Sequence, residues 1–330
     1  MPTHRALRSR PRGRAMSTRP PVSETASSQR RPMTLPQLLE MKRSGEPIVM
    51  VTAYDFPSAQ VVEEAGVDIV LVGDSAAMTV LGYSSTTPVT LDEMIMLAAA
   101  TRRGLTSPLL VGDLPFGSYQ ASDQQAVESA TRFIKEAGCD AVKIEMAGIS
   151  GRLADKRQSL DRARAIVAAG IPVMGHVGLT PQSASALGGY RSQGRTAQQA
   201  VQIADDALAL QEAGCFSIVF EAVPAEVAET IVERVEVPVI GIGAGPATDG
   251  QVLVFHDLLG IYEGHAPRFA KRFGEVKRAM VEGVEAYAAD VRGRRFPAAE
   301  HTYAIDDAEL AQFREIVAPG HAWDAADFLE

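Results

Sequence analysis

The chain contains the heptapeptide Ile69-Val70-Leu71-Val72-Gly73-Asp74-Ser75, in which an apolar run changes abruptly into an acidic end. Four consecutive apolar residues, three of them β-branched, predict a strand that is covered on both faces, as in a parallel sheet. A single Asp after a glycine often does no more than form a turn. Whether Asp74 has a functional role therefore depends on whether the same pattern occurs elsewhere in the chain.

The pattern recurs. Residues 136–145 and 212–221 each begin with Glu-Ala-Gly, continue into an apolar run and end in an acid. Each is typical of a helix that ends at a glycine, followed by a short loop and a buried strand. The segment Leu109-Leu110-Val111-Gly112-Asp113 also ends in an acid. Four predicted strands thus bring four acids to one edge of one sheet: Asp74, Asp113, Glu145 and Glu221.

Carboxylates placed so close together would raise one another's pKa values. A bound divalent cation is the natural way to keep several of them ionised, so the pattern predicts a metal site. Lys143 lies two residues before Glu145 in the same predicted strand, so both side chains point to the same face. A lysine inside a barrel is costly unless it is paired or holds an anion.

Composition excludes several classes of protein. The 330 residues are 46% hydrophobic and 22% charged, which is ordinary for a globular protein. The net charge of −9 argues against a general nucleic-acid surface. No apolar run approaches the length of a membrane span. We therefore expect a soluble, cytoplasmic protein with small-molecule partners, no nucleic acid and no membrane.

The first 31 residues differ from the rest, with eight Arg, no Lys and a single acid, Glu24. This composition resembles a transit peptide, but the prolines count against an amphipathic helix. We favour a disordered Arg-rich extension over residues 1–32. The prediction is a catalytic barrel domain over 33–300 and a C-terminal tail over 301–330.

Eight predicted strands, mostly separated by helices, indicate an α/β protein with a (β/α)₈ TIM barrel; an open doubly wound sheet is the alternative. A helix over 35–43 could plug or flank the fold, and the last long helix is predicted over 267–289. In such a barrel the active site lies at the C-terminal ends of the strands. The acids fall there, together with His176 and His256. The predicted strands are 48–52, 69–72, 109–112, 141–145, one beginning with 170–175, 217–221, 237–241 and 251–255.

Several blocks of sequence resemble the ketopantoate (3-methyl-2-oxobutanoate) hydroxymethyltransferase family in their order and spacing. The resemblance covers roughly residues 33–300. The blocks are Ile69 to Ser75, Asp113-Leu114-Pro115-Phe116, Val142-Lys143-Ile144-Glu145, Gly175-His176-Val177-Gly178-Leu179-Thr180-Pro181-Gln182, Gly188-Gly189-Tyr190, Val239 to Gly245 and Thr248-Asp249-Gly250-Gln251.

The resemblance implies a barrel of the phosphoenolpyruvate mutase/isocitrate lyase type that assembles into homo-oligomers, typically a homodecamer of two pentameric rings. The implied reaction transfers a hydroxymethyl group from the co-substrate 5,10-methylenetetrahydrofolate to 3-methyl-2-oxobutanoate. It gives 2-dehydropantoate through a Mg²⁺-stabilised enolate, the first step of pantothenate biosynthesis. By the same resemblance the metal ligands are Asp74, Asp113 and Glu145, the oxoacid is held by Asp74, Ser75, Asp113 and Lys143, and the catalytic base is Glu221.

Two other functions remain open at this point. One is a Mg²⁺-dependent oxoacid C–C lyase of the isocitrate lyase type, although the sequence contains no cysteine block of the kind such lyases carry. The other is a non-catalytic barrel, which the cost of unused buried charge disfavours. His176 is either near the metal or a hydrogen-bonded core residue, and we expect His256 to be structural.

Overall fold

Eight parallel strands form a closed barrel in the computed structural model, and each strand pairs with its neighbours in chain order until β8 meets β1. This confirms the (β/α)₈ prediction and excludes the open doubly wound sheet. The strands are β1 Ile48–Thr52, β2 Ile69–Val72, β3 Leu109–Asp113, β4 Ala141–Lys143, β5 Val173–Gly178, β6 Ser217–Glu221, β7 Val239–Ile242 and β8 Gly250–Leu253.

The structure describes residues 30–146, 153–184, 189–262 and 267–319. Most of the predicted Arg-rich extension and the end of the predicted tail lie outside these ranges. The helices are α1 Leu35–Ser44, α2 Phe56–Glu64, α3 Ala76–Thr79, α4 Leu91–Arg102, α5 Asp123–Lys135, α6 Leu153–Ala168, α7 Ala197–Glu212, α8 Ala225–Val232, α9 Phe255–Leu259, α10 Val276–Arg292 and α11 Asp307–Ile316.

Some predicted boundaries are wrong. The eighth strand ends at Leu253, and Phe255 and His256 begin α9 instead of completing the strand. The last long helix starts at Val276, with Glu275 as its N-cap, well after the predicted start at 267. His256 is therefore a helical residue and does not lie at the end of a strand.

The interior of the barrel changes from apolar to polar along the strands. Alternate residues of each strand point inward, and the lower layers of the core include Val111, Ala141, Met174 and Val219. Side chains two residues further along a strand share the same face. The next inward positions in these four strands are Asp113, Lys143, His176 and Glu221.

Helix α1 closes the opposite end of the barrel. Leu38 and Met41 are buried in the same apolar cluster as the first residues of the strands. Lys42 Nζ donates to Asp249 Oδ2 at 2.7 Å, and Asp249 directly precedes β8. Of the two predicted placements, plugging the barrel or flanking it, the structure shows that α1 plugs the barrel.

The described residues form two compact units, one ending at Phe255 and one beginning at His256. In the second unit, α10 and α11 contain no buried residue. The side chains of Met280, Val284 and Tyr287 on α10 are exposed. No helix among the described residues is long and apolar enough to cross a membrane.

Glu63 of α2 holds the segment that leads into β3. Its carboxylate accepts hydrogen bonds from Ser107 Oγ at 2.6 Å, Thr106 N at 2.8 Å and Ser107 N at 3.0 Å. Partial burial raises the pKa of Glu63, but these hydrogen bonds and the nearby Arg102 outweigh burial and hold the pKa below its ordinary value. A lowered pKa means that the stabilisation is complete above the ordinary pKa and is lost as the pH falls.

We expect Glu63→Gln to lower the free energy of unfolding by about 1 kcal/mol at pH 7, because a neutral amide is a weaker acceptor for three donors. The difference from the wild type should shrink as the pH falls below 4.5, the ordinary pKa. Urea titrations at several pH values measure both effects. The exposed neighbour Glu64→Gln is the matched control, and equal behaviour of the two variants would contradict the assignment.

Candidate active site

Two of the predicted acids are in direct contact. Asp74 follows β2, and its backbone N–H donates to Asp113 Oδ2, at the end of β3, at 3.1 Å. Asp74 is 4% exposed and Asp113 is 1% exposed. The two neighbouring strands therefore place two carboxylates together inside the mouth of the barrel.

Asp113 also forms a buried ion pair with Lys143 of β4. Lys143 Nζ donates to Asp113 Oδ1 at 2.7 Å and to Asp113 Oδ2 at 2.8 Å. The pair follows from the register of the sheet, in which Asp113 lies beside Lys143. Burial alone would lower the pKa of Lys143, but Asp113, Glu145 and Asp74 outweigh burial and raise it. Lys143 is therefore a cation.

Glu145 lies two residues beyond Lys143 and adds a third carboxylate. Its Oε2 accepts a hydrogen bond from the backbone N–H of Gln182 at 3.0 Å. Its Oε1 is buried without a hydrogen bond. Burial, together with Asp113 and Glu145, raises the pKa of Asp74 well above its ordinary value. The crowding of three buried carboxyl groups around one lysine thus favours the neutral form of Asp74 as long as no cation is bound.

His176 lies between Glu145 and the predicted base Glu221. Its Nδ1 is 3.5 Å from Glu145 Oε1, and its Nε2 is 3.3 Å from Glu221 Oε2. Burial and the charge of Lys143 would lower the pKa of His176, but Glu145 and Glu221 outweigh both and raise it to about 9. The sequence left the role of His176 open, and the structure places it against both acids.

The backbone around Glu221 is tightly constrained. Leu179 N donates to the Glu221 carbonyl at 2.9 Å. A Cβ on Gly178, whose φ is +94°, would lie 2.3 Å from that same oxygen. Ala222 has a φ of 50°, a conformation uncommon for residues other than glycine. The Glu221 side chain is 15% exposed, so it is more open to solvent than the other acids.

Three residues that contact the site were missed by sequence reasoning: Tyr54, Tyr119 and Gln182. Tyr54 OH and Ser75 Oγ are 2.9 Å apart, so a buried tyrosine holds the predicted substrate-binding serine. Gln182 and Tyr119 hydrogen-bond to each other and to residues of the acid cluster. Gln182 stood within a recognised block of sequence, but nothing in its neighbourhood marked it as a contact of the acids.

The cluster suits a hard divalent cation. Its potential ligands are all oxygens, which Mg²⁺ prefers. The Glu145 oxygen without a hydrogen bond and the crowding of acids that raises the pKa of Asp74 both fit a site that a cation completes. In the side-chain positions of the described residues, no three His, Cys, Asp or Glu groups already converge on one point. The ligand set Asp74, Asp113 and Glu145 therefore stays a prediction.

Comparison with known proteins identifies relatives along most of the chain. A family model described as ketopantoate hydroxymethyltransferase matches residues 32–299. The 3-methyl-2-oxobutanoate hydroxymethyltransferase of Moorella thermoacetica is 52% identical over 276 residues, which cover 84% of this chain and 99% of that protein. The mitochondrial 3-methyl-2-oxobutanoate hydroxymethyltransferase 1 of Oryza sativa is 51% identical over 289 residues, covering 86% and 77%.

Solved structures of lower identity share the fold. A phosphoenolpyruvate phosphomutase from Streptomyces platensis superposes with a TM-score of 0.54 at 17% identity, covering 86% of this chain and 94% of that one. A 2,3-dimethylmalate lyase of the phosphoenolpyruvate mutase/isocitrate lyase superfamily gives a TM-score of 0.52 at 16% identity, covering 85% and 98%. At these identities the superpositions show that the chain shares the barrel fold of these proteins.

We expect Lys143→Met to lower the free energy of unfolding by about 3 kcal/mol in metal-free protein, because Asp113 would be left buried without its cation. Urea titration of the variant beside the wild type measures this loss. Lys135→Met removes an exposed lysine from α5 and should change stability by less than about 0.5 kcal/mol. Equal stability of both variants would show that the buried pair contributes nothing.

Proposed function

Because this chain belongs to the ketopantoate hydroxymethyltransferase family, we propose that it converts 3-methyl-2-oxobutanoate, 5,10-methylenetetrahydrofolate and water into 2-dehydropantoate and tetrahydrofolate. The observation that carries the proposal is the buried cluster of Asp74, Asp113, Glu145 and Lys143 beside Glu221. A 2-oxoacid is a small anion with a carboxylate and a ketone oxygen. A site for it needs positive charge inside the barrel and a base near its C3 carbon.

We propose that Asp74, Asp113 and Glu145 hold Mg²⁺, either directly or through bound water. These side chains offer only oxygen ligands, and Glu145 keeps one buried oxygen without a hydrogen bond. Bound Mg²⁺ would supply Lewis-acid stabilisation of negative charge on the oxoacid oxygens.

The oxoacid is proposed to bind against Lys143 and Ser75. Lys143 is held cationic by the surrounding carboxylates, so its charge would offset part of the negative charge of a bound oxoacid. Ser75 Oγ is held by Tyr54 OH at 2.9 Å, which fixes the direction of a hydroxyl that can donate to the substrate. Both residues lie at the C-terminal ends of strands: Lys143 ends β4, and Ser75 follows β2, with β3 between the two strands.

Glu221 is proposed to remove the proton from C3 of the oxoacid. Its side chain is the least buried of the four acids, so a substrate can approach it. His176, protonated between Glu221 and Glu145, holds the Glu221 carboxylate in place. Loss of the C3 proton leaves an enolate. The C3 carbon then bonds to the methylene carbon of the folate, and water adds its hydroxyl to the same carbon. Both bonds from that carbon to the folate nitrogens break, and the nitrogens take up the C3 proton and the remaining proton of the water, which leaves tetrahydrofolate.

We further propose that the enzyme is a cytoplasmic homodecamer of two pentameric rings. Self-assembly is supported by α10, which exposes Met280, Val284 and Tyr287 and buries none of its residues within the described chain. The catalytic domain is proposed to span 33–300, between the extension over 1–32 and the tail over 301–330.

The alternative, a C–C lyase acting on an oxoacid, is not favoured, since the chain belongs to the transferase family. A lyase would cleave a larger oxoacid precursor without a folate. Formation of 2-dehydropantoate that requires 5,10-methylenetetrahydrofolate separates the two functions.

The proposed base is tested by exchange of the C3 proton of 3-methyl-2-oxobutanoate in D₂O, followed by NMR with Mg²⁺ and without folate. We expect wild-type exchange to depend on Mg²⁺ and to fall by at least about 100-fold in Glu221→Gln, because a neutral amide cannot accept the proton.

Glu226→Gln, which changes an exposed acid on α8, is the matched control and should exchange at the wild-type rate. Wild-type exchange that persists in Glu221→Gln would rule out Glu221 as the base. If the wild type shows no exchange, tetrahydrofolate is added. Exchange that is still absent would overturn the proposed reaction.

A further inference from the structure

Gln182 contacts two of the three proposed metal ligands. It lies in the short helical turn Pro181–Ser183 after β5 and is 7% exposed. Its side-chain Nε2 donates to Asp74 Oδ2 at 3.1 Å, and its backbone N–H donates to Glu145 Oε2 at 3.0 Å. Gln182 therefore connects the Asp74 carboxylate, beyond β2, with the Glu145 carboxylate, beyond β4.

The amide group of Gln182 has only one satisfactory orientation. Its Nε2 faces two acceptors, Asp74 Oδ2 and the Leu114 carbonyl, the latter at 2.9 Å. Its Oε1 accepts from Tyr119 OH at 2.9 Å. The reversed amide would turn an oxygen towards two other oxygens. It would also leave the tyrosine hydroxyl with only the more distant Glu145 carbonyl, at 3.4 Å, as acceptor. The orientation is thus dictated by the donors and acceptors around it.

Tyr119 completes a continuous chain of hydrogen bonds between the two acids. The backbone N–H of Glu145 lies 3.3 Å from Tyr119 OH, which accepts from it and donates to Gln182 Oε1. Gln182 Nε2 then donates to Asp74. All four residues are buried. Hydrogen bonds linked in this way strengthen one another in a medium of low dielectric constant.

The neutral character of the amide matters for a cation site. A lysine or arginine at position 182 would bring a second positive charge beside Asp74, where it would repel a divalent cation. A glutamate would bring an oxygen against Asp74 and against the Leu114 carbonyl. An amide donates to the carboxylate without changing the net charge, and an asparagine is one methylene shorter. Glutamine meets both requirements.

We propose that Gln182, oriented by Tyr119, is a positioning residue that fixes the Asp74 and Glu145 carboxylates for binding of the divalent cation. The inference rests on the proposed function, because it takes these acids as the cation site. It assigns Gln182 no contact with the oxoacid or the folate. Residues that orient metal ligands by hydrogen bonds commonly change metal affinity by about 10- to 100-fold.

The test is a titration of the full-length protein with Mn²⁺, followed by electron paramagnetic resonance of the free ion. We expect Gln182→Met, which keeps the length and packing of the side chain, to raise the dissociation constant by about 10- to 100-fold. Gln211→Met is the matched control, because Gln211 Oε1 accepts from the Glu236 backbone at 2.6 Å on the outer part of the fold. The control should bind Mn²⁺ as the wild type does.

A second measurement on Gln182→Met is the C3 proton exchange of 3-methyl-2-oxobutanoate. Raising Mg²⁺ should restore exchange in Gln182→Met, because the defect lies in cation affinity, whereas Glu221→Gln should stay inactive at any Mg²⁺ concentration. A merely structural role for Gln182 would not produce this restoration. Wild-type Mn²⁺ affinity in folded Gln182→Met would overturn the inference.

Tyr119→Phe decides the question if Gln182→Met does not fold, because it removes only one hydroxyl. We expect Mn²⁺ affinity to fall by about threefold to tenfold, because the hydroxyl's hydrogen bonds with the Glu145 N–H and Gln182 Oε1 are both lost. Unchanged affinity would overturn the inference. A wild type that binds no Mn²⁺ would instead overturn the proposed metal site itself, so the two failures are distinguishable.

Discussion

The buried ion pair between Lys143 and Asp113 is the interaction on which the rest of the site depends. Removing two charges from water costs several kcal/mol for each ion, and only close pairing with further hydrogen bonds offsets that cost. Here both carboxylate oxygens of Asp113 accept from Lys143, and one also accepts from the Asp74 backbone. Because Lys143 is engaged by Asp113, the burial of Asp74 beside further acids raises the pKa of Asp74, and a divalent cation would relieve that crowding of carboxylates.

One end of the barrel is apolar and packed, and the other end carries the charged residues of the candidate active site. At one end, α1 inserts Leu38 and Met41 into the apolar core and is held by the ion pair of Lys42 with Asp249. At the other end, the same inward-facing positions carry charge. This division is general for the fold, in which the C-terminal ends of the strands carry the active site. Strand register then decides which charges meet, and Asp113 faces Lys143 because β3 and β4 pair at that position.

The sequence was sufficient for the barrel and for the location of the acids, since each acid follows a short apolar run and strands are set by local pattern. The separate roles of Ser75, Lys143 and Glu221 came from the family resemblance, because spacing alone does not distinguish a ligand from a base. Gln182 and Tyr119 escaped prediction because their contacts join segments far apart in the chain, here 108 residues for Gln182 and Asp74. The end of β8 was missed because Phe255 is as apolar as a strand residue and yet begins a helix.

The most direct test of the account is the position of the metal ion. Crystals grown with Mn²⁺ in place of Mg²⁺ and soaked with 3-methyl-2-oxobutanoate would give an anomalous difference map that locates the ion without prior assumptions. The account predicts one strong peak among the carboxylates of Asp74, Asp113 and Glu145, with Lys143 still paired to Asp113. A peak elsewhere in the protein, with none at these carboxylates, would contradict it.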